Sequence, residues 1–241
     1  MHSTSDAEAP ACCSRRALLG MAVGVACTAA MADPLLTDPQ LAIGPIAAAT
    51  AAGDMGRLSA ALDQGLDAGL TVNEIKEVLV QLYAYAGFPR SLNALAEFMK
   101  VLEARRQRGV ADAQGRAPGP LPPPEQMLAV GTANQTRLTG APVKGPLFTF
   151  APAVDQYLKA HLFGDIFARD NLDWRQRELA TVAALSALSG VASQLQAHIR
   201  ISLNVGLTIA QLKQLAATLA DAGQTDAGQR LQAALDSHPG G

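Results

Sequence analysis

Residues 58–71 read LSAALDQGLDAGLT, and residues 195–208 read LQAHIRISLNVGLT. Leu58, Ala60, Leu66, Gly69, Leu70 and Thr71 of the first fall on Leu195, Ala197, Leu203, Gly206, Leu207 and Thr208 of the second. Each stretch reads as a helix ended by a glycine and followed by a threonine placed to cap the next helix. One position separates their chemistry: the second copy carries His198 where the first has Ala61. The first copy continues as EIKEVLVQLYAYAGFPRSLNAL and the second as AQLKQLAATLADAGQTDAGQRL. The chain is therefore read as a duplicated helical unit whose copies have diverged. A site at their junction would draw residues from both.

Composition narrows the chemistry. The 241 residues are 49% apolar and 17% charged, and rich in Ala and Leu, which favours helices and a sizeable core. A net charge of −2 and only 4% aromatic residues give no footprint for nucleic acid. Residues 1–32 read as a twin-arginine signal peptide: Ser14-Arg15-Arg16-Ala17-Leu18-Leu19-Gly20, an apolar run to Ala30, and a small-residue cleavage site at Ala30-Met31-Ala32. That predicts export to the periplasm. Neither the run's length nor its flanks suit a stable membrane span, and Gly24-Val25-Ala26 is a poor lipobox ahead of Cys27. Cys12, Cys13 and Cys27 all lie in this leader. A mature chain cut after Ala32 holds no cysteine, which excludes disulfides, thiol nucleophiles and thiolate metal sites.

After the leader, the first repeat is placed at 38–108 and the second at 147–237, with a Pro/Gly-rich linker at 109–146. Leu41 to Ala52 reads as a helix or an extended arm. Leu58 to Ala68 is helical, with Gly69 in a left-handed cap. Thr71 and Glu74 form a capping box for a helix whose inner face is Ile75, Val78, Leu79 and Leu82. Ser91 to Arg106 is a third helix, with Leu92, Leu95, Phe98, Met99 and Leu102 expected inward. The run Pro118-Gly119-Pro120-Leu121-Pro122-Pro123-Pro124 cannot hold a helix. A short helix is expected over 125–138. Further helices are read at 154–167, 173–188 with Asn171 as cap, 192–205, 208–220 and 227–235. Nothing alternates with period two for long, so no sheet is expected.

Glu178 and His198 are the leading chemical candidates. Glu178 lies eleven residues before Ser189, and His198 eight after Gly190. At roughly 1.5 Å per residue their heights differ by about one turn on antiparallel neighbours. A carboxylate and an imidazole can then meet and move a proton near neutral pH. The bland alternative makes Arg175, Arg177 and Glu178 a charged helix start and His198 an interior histidine. Tyr83, Tyr85, Arg90 and Asn93 form a second cluster. Tyr83 and Tyr85 cannot share a helix face, while Arg90 at a helix start would suit a substrate carboxylate. Glu74 and Glu77 read as cap and surface charges. His161 lines a pocket or packs at a helix interface, and Trp174 reads as a buried anchor. No HExxH or similar spacing is present, so no metal is expected.

FGDIFARDNLDWRQRELATVAALSAL (163–188) followed by QLQAHIRISLNVGLT (194–208) resembles the carboxymuconolactone decarboxylase family, relatives of the alkylhydroperoxidase D proteins. GLTVNEIKEVLVQLYAYAGFPRSLNAL (69–95) resembles the segment that follows in that family. The resemblance covers most of 38–106 and 147–237. It implies an all-α bundle that oligomerises, for a tandem chain most simply as a trimer, with dimers and hexamers as alternatives. The family's redox branch uses a Cys-x-x-Cys ahead of the histidine; Val191 and Gln194 stand there, so thiol peroxidase activity is excluded. Its decarboxylase branch acts on a carboxylated lactone by proton transfer, without metal or organic cofactor. The resemblance implies that role for Glu178 and His198, with Arg90 holding a carboxylate. The expected function is thus a cofactor-independent lyase or isomerase acting on a small carboxylated or lactone molecule. The alternative is a non-catalytic binding or assembly protein on the same fold.

Overall fold

The structure, a computed structural model, describes residues 35–238. The expected signal peptide, its cleavage site and all three cysteines lie outside the described residues. Among the described residues every regular element is helical. No helix there is long and apolar enough to cross a membrane.

The first repeat opens with α1 (Asp38–Ala52), α2 (Met55–Asp67) and α3 (Val72–Gln81), then the single turn α4 (Tyr83–Ala86) and the long α5 (Phe88–Gln107). The Ala-rich segment is a helix, not an arm, and Ile43, Ile46, Ala47 and Ala51 within it are wholly buried. Small side chains let α1 pack closely, and its main partner is α9 (Trp174–Ala187), which occupies the equivalent place in the second repeat. Thr71 caps α3: its hydroxyl accepts from the Glu74 backbone N–H, and the Glu74 carboxylate accepts from the Thr71 N–H. Ile75, Val78, Leu79 and Leu82 are fully buried as the periodicity predicts.

Helix α5 departs from its reading. Its buried face is Ser91, Ala94, Phe98, Val101 and Arg105, spaced three and four apart. Leu92 and Met99 each follow a buried position by one residue, which turns them about 100° away. They are 59% and 72% exposed, and with Phe88 at 60% they leave an apolar strip on the surface. The basic end of α5 is not merely a dipole partner. Arg105 is buried and held by Asp63, Asp67 and Asp112.

The linker folds back onto its own chain. The α3 N-terminus donates through Val72 N–H to Ala113 O and through Asn73 N–H to Gln114 O. Asp170 is tied to Arg116 and to the Gly119 N–H. A 3₁₀ turn at Pro124–Gln126 then leads into α6 (Met127–Thr139), and α7 (Pro146–Phe150) and α8 (Pro152–Tyr157) precede a π helix at Leu158–Ile166. The helix read over 154–167 is thus an α turn that widens into π geometry. It packs flat on α6 because Gly131 has no side chain: a Cβ there would lie 1.6 Å from the Lys159 carbonyl oxygen. The pair carries a separate apolar cluster of Leu138, Leu162, Phe163, Ile166 and Phe167, which meets Ile201 of the main body.

The second repeat continues from α9 with α10 (Ala192–Asn204), α11 (Ile209–Asp221) and α12 (Thr225–Asp236). Asp173, not Asn171, caps α9, in a capping box with Gln176. Asn171 instead donates to Glu77. Each repeat reaches into the other. Gln81 of α3 donates to Arg177 O and Thr181 Oγ1 of α9, while Gln214 of α11 accepts from the Leu36 N–H just before α1. The two copies therefore fold around one core.

Candidate functional site

Glu178 sits in the second turn of α9, whose start is fixed by the Asp173 cap. The chain reverses at Ser189-Gly190, where Gly190 takes φ +79°, and α10 returns alongside with His198 near its middle. His198 Nδ1 lies 2.8 Å from Glu178 Oε2. Glu178 is fully buried and His198 is 8% exposed. A carboxylate accepts, so the imidazole presents its Nδ1–H to Glu178 and leaves Nε2 as its basic nitrogen. The second carboxylate oxygen, Oε1, is buried without a hydrogen-bond partner. A helix start with an ordinary surface charge would not look like this.

The first repeat reaches the pair through Tyr85, from α4. Its ring meets the His198 ring edge-on, with centroids 5.6 Å apart and planes at 81°. The residue is only partly buried, but its hydroxyl is enclosed and makes no hydrogen bond of good geometry. Thr181 lies beside that hydroxyl; its own oxygen donates to Arg177 O, accepts from Gln81, and keeps one lone pair. Burial pushes the Tyr85 phenol far above its ordinary ionisation range, and the Glu178 charge adds to the effect. Both effects favour the protonated phenol.

The other candidates do not join this group. Tyr83 stacks on Phe88 at 4.3 Å and faces His161 at 5.6 Å. His161 stands at the surface, 2.6 Å from Asp165, one turn away on the π helix. Arg90 and Asn93 are exposed on α5. The nearest marker for Arg90 is Gly53 at the end of α1, where an added Cβ would lie 3.8 Å from Arg90 Nε. Tyr83 and Tyr85 do point to different places, as their spacing requires. Trp174 is partly buried, its indole N–H donating to Phe167 O and its ring covered by Arg137 at 4.9 Å.

A buried ion network beside the pair escaped the sequence reading. Arg177 is fully buried; it reaches Glu77 at 2.9 Å, Gln81 Oε1 at 3.0 Å and Arg169 O at 2.8 Å. Glu77, expected at the surface, is 2% exposed and also holds Arg169 at 2.8 Å. Burial alone would raise the Glu77 carboxyl, but its hydrogen bonds to Arg169 and Arg177 outweigh that and hold it below the usual 4.5. Burial also depresses the Arg177 guanidinium. One signal was available: Glu77 and Gln81 are four apart and interleave with the buried Val78, Leu79 and Leu82, so they lie at the edge of an inner face.

Two cavities open nearby. One of about 380 Å³ is bounded by Ala48, Arg57, Ala187, Gln224 and Arg230; one of about 470 Å³ lies by Val191, Leu195 and Arg230. Neither is lined by Glu178 or His198. Among the described residues no three His, Asp or Glu side chains gather as a metal centre requires. A comparison with curated proteins finds no match. The sequence model of the carboxymuconolactone decarboxylase family matches the chain twice, over residues 21–100 and 152–236.

Proposed function

Because the chain belongs to the carboxymuconolactone decarboxylase family, we propose that it moves a proton on a small carboxylated or lactone molecule, as a lyase or isomerase, through Glu178 and His198. The observation that carries this is the 2.8 Å contact between a fully buried carboxylate and a nearly buried imidazole. Burying both groups is unfavourable unless they are paired, and such pairs are typical of proton-transfer sites. In this reading His198 Nε2 takes a proton from carbon while Glu178 stabilises the imidazolium that forms. Neither a metal nor an organic cofactor enters the proposal. Arg90, Asn93, Tyr83 and His161 are assigned to substrate approach and not to chemistry. The same proposal has the leader at 1–32 exporting the chain to the periplasm, where it works as a homo-oligomer, most simply a trimer.

The test is hydrogen–deuterium exchange at substrate carbon. A panel of small lactones and carboxylated lactones in D₂O should lose C–H signal with the parent protein. His198→Ala and Glu178→Gln should slow that loss by at least about 100-fold. A second reading makes the pair a structural tie between α9 and α10, and the absence of Glu178 and His198 from both cavities above favours it. Exchange that is absent, or equal in parent and variants, would select that reading.

A further inference from the structure

Two buried polar atoms beside His198 make no hydrogen bond of good geometry: the Glu178 Oε1 acceptor and the Tyr85 hydroxyl, which has Thr181 as its neighbour. Leaving such groups unpaired in a core is unfavourable, so each calls for a partner such as water or a bound molecule. The hydroxyl is a donor that burial and the Glu178 charge keep protonated. It lies close enough to feel that carboxylate, and its ring contacts the imidazole. The cation whose charge reaches that hydroxyl, Arg177, spends its two terminal nitrogens on Gln81, Glu77 and Arg169 O, and its Nε is buried without a hydrogen-bond partner. We propose that Tyr85, supplied by the first repeat, is the hydrogen-bond donor to an uncharged carbonyl oxygen of the substrate, and that no substrate carboxylate binds there.

The inference rests on the proton-transfer reading of Glu178 and His198, and gives it a place for the developing charge. When His198 Nε2 takes a proton from the carbon next to the carbonyl, the C–H bond breaks and an N–H bond forms. The electron pair left behind makes a C=C bond and moves the carbonyl π pair onto oxygen. The Tyr85 O–H stabilises that oxygen by a hydrogen bond that strengthens as charge develops. Return of the proton from His198 to carbon restores a neutral product, so atoms and electrons balance without oxidant or reductant. A carboxylate at the same point would face the buried Glu178 charge at close range, which is unfavourable.

The experiment uses the full chain with labelled histidine, following the His198 imidazole signal, which is identified by its loss in His198→Ala. The probes are δ-valerolactone, an uncharged ring ester, and glutarate, a dicarboxylate of equal carbon number. The lactone should shift the His198 signal and glutarate should not. Tyr85→Phe should weaken the lactone about tenfold or more, while its thermal midpoint stays at or above the parent's. Site-specific 3-fluorotyrosine at position 85, a stronger donor, should tighten it. The inference is overturned by a lactone that leaves His198 unmoved, by equal binding in Tyr85→Phe, by glutarate acting as strongly, or by a Tyr85→Phe variant that melts early because the hydroxyl had a structural partner. Its failure is separable from that of the proposed function. Deuterium exchange that needs His198 but ignores Tyr85 defeats this inference alone. Tyr85-dependent lactone binding without any exchange defeats the other.

Discussion

The two copies of the repeat keep the same backbone punctuation and share almost none of the same chemistry. Gly53 and Gly190 stand at equivalent places after α1 and α9 with φ of 76° and 79°; Gly69 and Gly206 follow α2 and α10 with 97° and 91°. Thr71 and Thr208 both build capping boxes, with Glu74 and Gln211 three residues on. Between those points the copies part. The register that sets His198 on Ala61 also sets Glu178 on Leu41, so the first copy has apolar residues where the second has its buried pair. The first copy holds Tyr85 and Glu77 instead, and both reach across to the second. Positions dictated by backbone geometry resist divergence, because glycine and cap residues answer local demands that each copy meets alone. Mid-helix positions are free to specialise once two copies share a core.

The cross-repeat ion network is where this comparison breaks most sharply. Arg177→Ala would take from buried Glu77 one of its two arginine partners, and should lower unfolding free energy by up to about 3–5 kcal/mol in denaturant titrations. A loss below about 1 kcal/mol would mean that Arg169 and the Gln81 bonds hold this seam without the Arg177 guanidinium. The shared punctuation gives the next effect. Gly69→Ala and Gly206→Ala force a side chain into the left-handed region, and each should cost about 1–2 kcal/mol. Neither site has a close neighbour, the nearest atom to an added Cβ being 3.7 Å away at Gly69, so the two losses should match. Unequal losses would show that one copy has relaxed its turn. The smallest effect is with acid. Glu77 has its folded pKa held below the usual 4.5, so its contribution is complete above the ordinary carboxylate range and is lost as pH falls through the folded value. Stability of Glu77→Gln should therefore fall less steeply than the parent's below pH 4.5, measured by thermal melts across that window.

Much of the fold was legible because its signals are local. Helix ends announced by Gly69, Gly190 and Gly206, and the capping pair Thr71 and Glu74, need no knowledge of the rest of the chain. The meeting of Glu178 with His198 was legible too, since a short reversal and a fixed rise per residue set their relative heights. What escaped depends on distant partners. Glu77 reads as a surface charge until Arg177 and Arg169 arrive from about a hundred residues away. Leu92 and Met99 look like core residues until the α5 face is fixed by Phe98 and Arg105. Asn171 and Asp173 are equally good caps by residue type, and only the Gln176 box selects Asp173. Arg90 drew notice as a cation at a helix start, whereas the group that touches the pair is the uncharged Tyr85.

The Glu178–His198 contact of the second copy is either a working pair or a structural tie between α9 and α10. The most direct measurement is ligand-induced thermal stabilisation as a function of pH, with small lactones and carboxylated lactones, on the parent, His198→Ala and Glu178→Gln. At least one compound should stabilise the parent and lose its effect in both variants while each still folds. Stabilisation that survives both substitutions, or none in the parent while both variants fold and assemble as it does, would contradict the working pair.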